Sequence, residues 1–319
     1  MINKKAHLVK DLFSEKIEKV PTRNGYGEGL VEAGKKNKDV VALCADLTDS
    51  TRTKMFKDKF PERFIEIGVA EQNLVTVASG MAAVGKIPFV SSYGAFSPGR
   101  NWEQIRTTIC YNDRPVNIGG AHTGVSVGPD GATHQILEDI AIMRALPNMI
   151  VIAPCDYHES RKATAAAAEN GKPTYIRFAR EKTPVFTTKM TPFQIGRAEV
   201  FRMGKRVTIV ACGPLVYEAL MAAEEVDGEV IDCHTVKPID QDTILMSAKK
   251  TGRVVTVEEH QITGGLGGAV AELLVEQHPV PMRRVGVRDR FGESGEPDEL
   301  LQKFGLKAKN IVAAAKELF

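Results

Sequence analysis

Short runs of β-prone residues alternate with helical stretches along most of this chain, and that alternation restricts its fold more than any other feature. Val40-Val-Ala-Leu-Cys44, Phe64-Ile-Glu-Ile67, Ile87-Pro-Phe-Val90, Val116-Asn-Ile118, Met149-Ile-Val-Ile152 and Thr174-Tyr-Ile-Arg-Phe178 form a first series. Between them lie segments of helical propensity such as 159–170, whose run from Ala163 to Ala168 is a strong helix former. The spacing predicts βαβ units around a mostly parallel sheet. A second series has strands at Val207-Thr-Ile-Val-Ala211, Glu229-Val-Ile-Asp232 and Val254-Val-Thr-Val257, with helices expected over 218–226, 241–249 and 266–277. The stretch 183–196 carries Pro184 and Pro192 and no helical period, so it reads as a linker. The expected division is a first domain over 1–182, including an N-terminal extension, and a smaller second domain over 197–319.

Composition narrows the function. The 319 residues are 43% hydrophobic, enough for two full cores, and the net charge is only +2. No basic block is interleaved with aromatics, which argues against nucleic-acid binding. Five cysteines, Cys44, Cys110, Cys155, Cys212 and Cys233, have no C-x-x-C spacing and mostly sit in apolar runs. They read as reduced core residues, with no zinc site and no disulfide frame. The N-terminal ten residues lack an apolar signal core, and no apolar run approaches the roughly twenty residues of a membrane span. A cytoplasmic protein with no membrane partner is the expectation.

Three segments carry the chemistry. In Phe64-Ile-Glu-Ile-Gly-Val-Ala-Glu71, an acid follows a strand that reads as buried and opens a helix. Apolar surroundings would disfavour its ionised form, the condition for relaying a proton; alone, it reads more readily as an ordinary helix N-terminal glutamate favoured by the macrodipole. Next, Ser91-Ser-Tyr93-Gly-Ala-Phe96 offers two rings for an apolar wall, or simply core. Then comes His122-Thr-Gly-Val-Ser-Val-Gly-Pro-Asp130-Gly-Ala-Thr-His134, a glycine-rich loop in which two histidines and an aspartate can converge on a ligand. Metal ligation is the competing reading, but without cysteine the zinc signal is weak. Arg23, Ser50 and Arg180 could grip a phosphate through guanidinium forks and a hydroxyl, or be solvated strand and helix ends. Arg177 reads as structural. Glu258-Glu-His-Gln-Ile-Thr-Gly-Gly-Leu-Gly-Gly268 looks like a phosphate loop but lacks the spacing of one.

Together these segments resemble the transketolase family, from about Arg23 to the C-terminus. The resemblance implies two doubly wound α/β domains: a mostly parallel-sheet pyrimidine-binding domain for thiamine diphosphate, then a smaller C-terminal domain concerned with structure and dimer contacts. It further implies that Glu71 bonds N1′ of the coenzyme's aminopyrimidine, favouring the imino tautomer that removes the thiazolium C2 proton. Tyr93 and Phe96 would hold the pyrimidine, with Phe96 the stacking ring, and Asp46 and Leu47 would lie near the coenzyme. Arg23, Ser50 and Arg180 would contact the sugar phosphate. His122 would reach a phosphate or hydroxyl, Asp130 a hydroxyl beside the carbonyl, and His134 the hydroxyl of the two-carbon unit, so that Glu71, His122 and His134 count as catalytic. Two departures stand out: Gly99-Arg100 replaces a further aromatic common in the family, and Pro129 replaces a glutamate.

The resemblance covers only the second half of a full-length transketolase. No Gly-Asp-Gly…Asn segment is present to hold Mg²⁺ and the diphosphate, whose charge demands a metal. This implies a carboxy-terminal subunit working with a separate amino-terminal one, expected as an α2β2 assembly acting on sugar phosphates, with Mg²⁺ ligated mainly by the partner. The rivals are the beta subunit of a thiamine-dependent 2-oxo acid dehydrogenase, which has no sugar hydroxyls to bind, 1-deoxyxylulose-5-phosphate synthase, normally one long chain, and a non-catalytic scaffold, which has no use for an acid and a sugar clamp together.

Overall fold

A computed structural model describes residues 1–319. The strands read from the sequence assemble into two sheets. Six run parallel in the order Ile150–Ile152, Thr174–Phe178, Asn117–Ala121, Ile87–Tyr93, Val40–Cys44 and Phe64–Glu66. Central strands such as Val40–Cys44 and Thr174–Phe178 are buried along their whole length; the first is a continuous apolar run, and the second breaks its apolar run with Arg177. Phe64–Glu66, expected to be buried, is instead a half-exposed edge strand with one neighbour. The second sheet follows the order Met282–Val287, Val254–Gln261, Val207–Ala211, Gly228–Asp232 and Glu199–Arg202, parallel except for the last strand.

The register of the first sheet aligns strand ends. Tyr93 pairs with Ala121 and Ala121 with Phe178, while Cys44 pairs with both Ser91 and Glu66. The segments leaving those ends therefore emerge along one edge, the carboxyl edge where open α/β sheets bind ligands. The helix Thr22–Lys36 brings Arg23 to the same edge. It holds four glycines, and two of them let it lie directly on the helix Tyr157–Ala167. A Cβ at Gly25 would come within 2.2 Å of the Tyr157 carbonyl oxygen, and one at Gly29 within 2.5 Å of that of Arg161.

The two domains are fastened together. Thr235–Lys237, which lies in sequence between the second sheet's strands Gly228–Asp232 and Val254–Gln261, adds antiparallel to Ile150–Ile152 at the edge of the first sheet. Residues 183–196 do not hang free as a spacer would: Lys182–Pro184 pairs with Lys19–Pro21, and Phe186 and Thr187 donate their amides to the buried Asp156 carboxylate. The N-terminal segment reaches the second domain, where Asn3 bonds the carbonyls of Val200 and Phe201. Arg177 is structural, as its sequence context suggested. It is buried, pairs with Asp139 at 2.8 Å and donates to the Glu259 carbonyl. All five cysteines are buried, and no helix is long and apolar enough to cross a membrane.

The glycine-rich turn after Val254–Gln261 has an internal purpose. The buried Glu258 carboxylate accepts the amides of Leu266 and Gly267, satisfying the first turn of the helix Leu266–Gln277. A Cβ at Gly265 would lie 2.0 Å from that carboxylate. The chain's own acid takes the position a phosphate would have, so the turn holds no ligand loop.

A buried acid pair also joins the domains. Asp232, Glu159 and Cys155 bring their polar atoms within 4.8 Å of one another, and neither oxygen of Asp232 has a hydrogen-bond partner. Burial, reinforced by the charge of Glu159, pushes Asp232 well above the usual carboxylate range. The folded state thus keeps a proton that the unfolded chain releases above about pH 4. Its stabilisation is complete below that value and is lost as pH rises through the raised folded value. Asp232→Asn is expected to flatten the decline of melting temperature as pH rises above about 4, where the unfolded chain has released the proton and the folded chain still holds it. An unchanged decline in the variant would contradict this assignment.

Candidate active site

Glu71 is the first residue of the helix Glu71–Ala83 and only 4% exposed. Its backbone carbonyl is held by Asn101 Nδ2 at 2.8 Å. The apolar surroundings expected from the sequence are interrupted by a cation: Arg100 Nη1 donates to both Glu71 carboxylate oxygens, each at 3.1 Å. The same guanidinium lies over the Phe96 ring, 4.2 Å from its centroid. The open groove around this contact is lined by Val69, Ala70, Gln72 and Asn73.

Phe96 begins a continuous wall of rings. Its centroid is 5.8 Å from that of Tyr93, which stacks on His122 at 3.9 Å, and His134 stands edge-on to both Phe96 and Tyr93. The rings of Ser91–Phe96 and the histidines of the 122–134 loop therefore make one surface rather than two. The second domain props that loop. Glu259 accepts the Ser126 amide at 2.6 Å, Gln135 ties Val125 and Gly128 to the Glu293 carbonyl, and Pro297 packs on Gly128. Gly124, Gly128 and Gly131 all have positive φ, so the path of the loop requires them.

Beyond His122 lies a cluster of cations. Arg23 donates to the Ser50 carbonyl at 3.0 Å, and its pKa is lowered by burial and by the charges of Arg52 and Arg180. Burial, followed by the charges of Arg23, Arg180, His134 and Arg52, pushes His122 down to about 3, so its ring is neutral at physiological pH. His122 Nδ1 is buried without a partner inside the protein. A neutral imidazole with a free nitrogen beside three guanidinium groups can bond a hydroxyl while the cations hold a tetrahedral oxyanion.

Of the residues expected from the sequence, Glu71, Tyr93, Phe96, His122, His134, Arg23 and Arg180 come together along this edge. Asp130 joins them through Arg180 Nη1 at 3.3 Å, and Arg180 also donates to the Val127 carbonyl. Ser50 contributes its carbonyl to Arg23, so it positions that arginine. Asp46 and Leu47 lie on the preceding turn and bond only within their own neighbourhood. The Asp46 amide donates to Glu66, and the Leu47 carbonyl accepts from Thr51. Two arginines escaped the sequence reading. Arg52 sits at φ 66° with its Nε on Asn24, and Arg100 sits on Glu71. Their only sequence signal is position, close after Ser50 and Phe96.

The arrangement suits an aromatic cation at one end and an anion at the other. Glu71 and Phe96 already accept a flat, positively charged N–H donor, which is how a protonated aminopyrimidine would present itself. No such fit exists for a diphosphate and its metal. The one group of acidic and sulfur ligands at metal-holding spacing is Cys155, Glu159 and Asp232, none of which is on these loops. Fold and site thus define an α/β protein whose sheet edge carries a buried acid beside a ring at one end and a cluster of arginines at the other.

The transketolase pyrimidine-binding domain model matches residues 18–185, and the transketolase C-terminal domain model matches 196–311. The chain belongs to the transketolase family. It is 45% identical over 303 residues to a protein of Methanocaldococcus jannaschii named as a transketolase C-terminal section, covering 92% of this chain and 95% of that one. It is 44% identical to a 6-deoxy-6-sulfo-D-fructose transketolase subunit of a Clostridium species, covering 96% and 97%. Among solved structures, a split-gene transketolase described as an inactive beta4 tetramer matches with TM-score 0.88 and 46% identity, over 94% of this chain and 98% of that one.

Proposed function

We propose that this chain is the carboxy-terminal subunit of a split, thiamine-diphosphate-dependent transketolase that moves a two-carbon ketol unit from a ketose phosphate to an aldose phosphate. The observation that carries the reading is the convergence on one sheet edge of the Glu71–Phe96 pair, the His122–His134 loop and the Arg23, Arg52 and Arg180 guanidiniums. When bound, the coenzyme supplies the carbon nucleophile. Glu71 would hold the pyrimidine and exchange a proton with its ring nitrogen, and Phe96 and Tyr93 would hold that ring against the wall. His122 and His134 orient hydroxyls beside the reacting carbon, with Asp130 available to the sugar chain. The arginines fix the far phosphate. Mg²⁺ and the diphosphate fall to an amino-terminal partner, for which the expected assembly is α2β2.

The sugar loop favours this reading over a 2-oxo acid dehydrogenase subunit, whose substrate has no hydroxyl row to engage. The same guanidinium cluster would also accept a sulfonate, the group carried by the sugar named for the Clostridium relative. Arg180→Ala is expected to raise KM for phosphorylated acceptors about tenfold, the effect of losing one charge-assisted hydrogen bond from a half-exposed arginine. KM for an unphosphorylated acceptor such as glycolaldehyde should stay nearly constant. Equal losses for the two acceptor types would mean that Arg180 holds the loop or the coenzyme instead.

A further inference from the structure

We infer that Arg100 is a resident stand-in for the coenzyme's pyrimidine, which must be displaced from Glu71 and Phe96 before the coenzyme can seat. The inference rests on the assignment of that pair to the pyrimidine. Two independent contacts point the same way: one guanidinium nitrogen bridges both Glu71 oxygens, and the guanidinium carbon lies over the Phe96 ring, 4.2 Å from its centroid. A flat cation that donates N–H groups to a carboxylate while stacking on a ring reproduces both contacts at once. It cannot share them, because a ring at Glu71 would occupy the same side of Phe96.

Arg100 is also free to leave. Its side chain is 51% exposed, whereas Glu71 is 4% exposed, so the acid is fixed and the arginine can swing out into water. Its anchor is the compact turn Gly94–Arg100, in which the Arg100 amide donates to the Phe96 carbonyl at 2.8 Å. Gly99 cannot supply a ring of its own, because a Cβ there would lie 2.0 Å from the Ala95 carbonyl oxygen. Beside that glycine, the turn presents the next side chain, Arg100. The device keeps a buried carboxylate partnered and a ring face covered in the absence of coenzyme. Its consequence is a lower apparent coenzyme affinity, reduced by the fraction of molecules with Arg100 swung away.

The test is titration calorimetry of thiamine diphosphate with Mg²⁺ into the complex of this chain and its amino-terminal partner, for wild type, Arg100→Ala and Arg100→Gln. Both variants are expected to bind the coenzyme about fivefold more tightly. Methylguanidinium added to Arg100→Ala should weaken binding again by refilling the clamp. Arg100→Lys, which keeps the charge but not the plane, should fall between wild type and Arg100→Ala. Weaker binding in Arg100→Ala would make Arg100 a wall of the coenzyme site and overturn the inference, as would unchanged binding. A wild-type complex that takes up no coenzyme would overturn the assignment of the pyrimidine site as well.

Discussion

Glu71→Gln is expected to lower the rate of C2-proton exchange in the bound coenzyme by a factor on the order of 10² to 10⁴, the usual cost of losing a proton relay. Glutamine keeps the length and the hydrogen-bonding oxygen of the side chain but cannot take up or release a proton at the pyrimidine. The fold should survive. The Glu71 backbone is held independently by Asn101, and the one ion pair lost has a half-exposed arginine as its partner, a contact worth about 1 kcal/mol or less. Loss of exchange with an unchanged melting temperature is therefore the signature. An unchanged exchange rate would remove Glu71 from the proton path and leave it an ordinary helix N-terminal acid.

Arg100 sets a second condition on that experiment. Glutamine is a poorer partner for a guanidinium than a carboxylate is, so Glu71→Gln should also loosen the arginine. Coenzyme occupancy must be saturated before exchange rates are compared.

Much of the sheet was legible because its buried strands are rich in β-branched and aromatic residues; Val40–Cys44, Thr174–Phe178 and Val207–Ala211 begin and end where their β-prone residues do. The helix Thr22–Lys36 was not legible. Its four glycines argue against a helix on propensity; the close approach of Tyr157–Ala167 explains Gly25 and Gly29, and that of the segment from Arg52 to Phe60 explains Gly27 and Gly34. Thr235–Lys237 was missed as a strand because three residues carry no period, and its partner belongs to the other domain. In the candidate site, residues inside distinctive motifs could be read: Glu71, Phe96, His122 and His134 stand out by their company. Arg52 and Arg100 could not, since an arginine in a loop is ordinarily solvated and only the folded turns bring these two against Asn24 and Glu71.

The largest effect should come from the partner. No group of three acidic, histidine or cysteine ligands at metal-holding spacing lies on the site edge of this chain. The purified chain is therefore expected to bind thiamine diphosphate poorly and to transfer no ketol units. Its pocket is open on the side of Val69, which is 68% exposed beside Glu71, as an edge completed by another chain would be. The most direct measurement mixes the purified chain with the product of a neighbouring reading frame that bears the Mg²⁺-diphosphate motif. Ketol transfer from a ketose phosphate to an aldose phosphate is then assayed for each chain alone and for the mixture. The account predicts activity in the mixture and none in either chain alone. Full turnover by this chain alone, or none in a mixture that forms a stable complex and binds coenzyme, would contradict it.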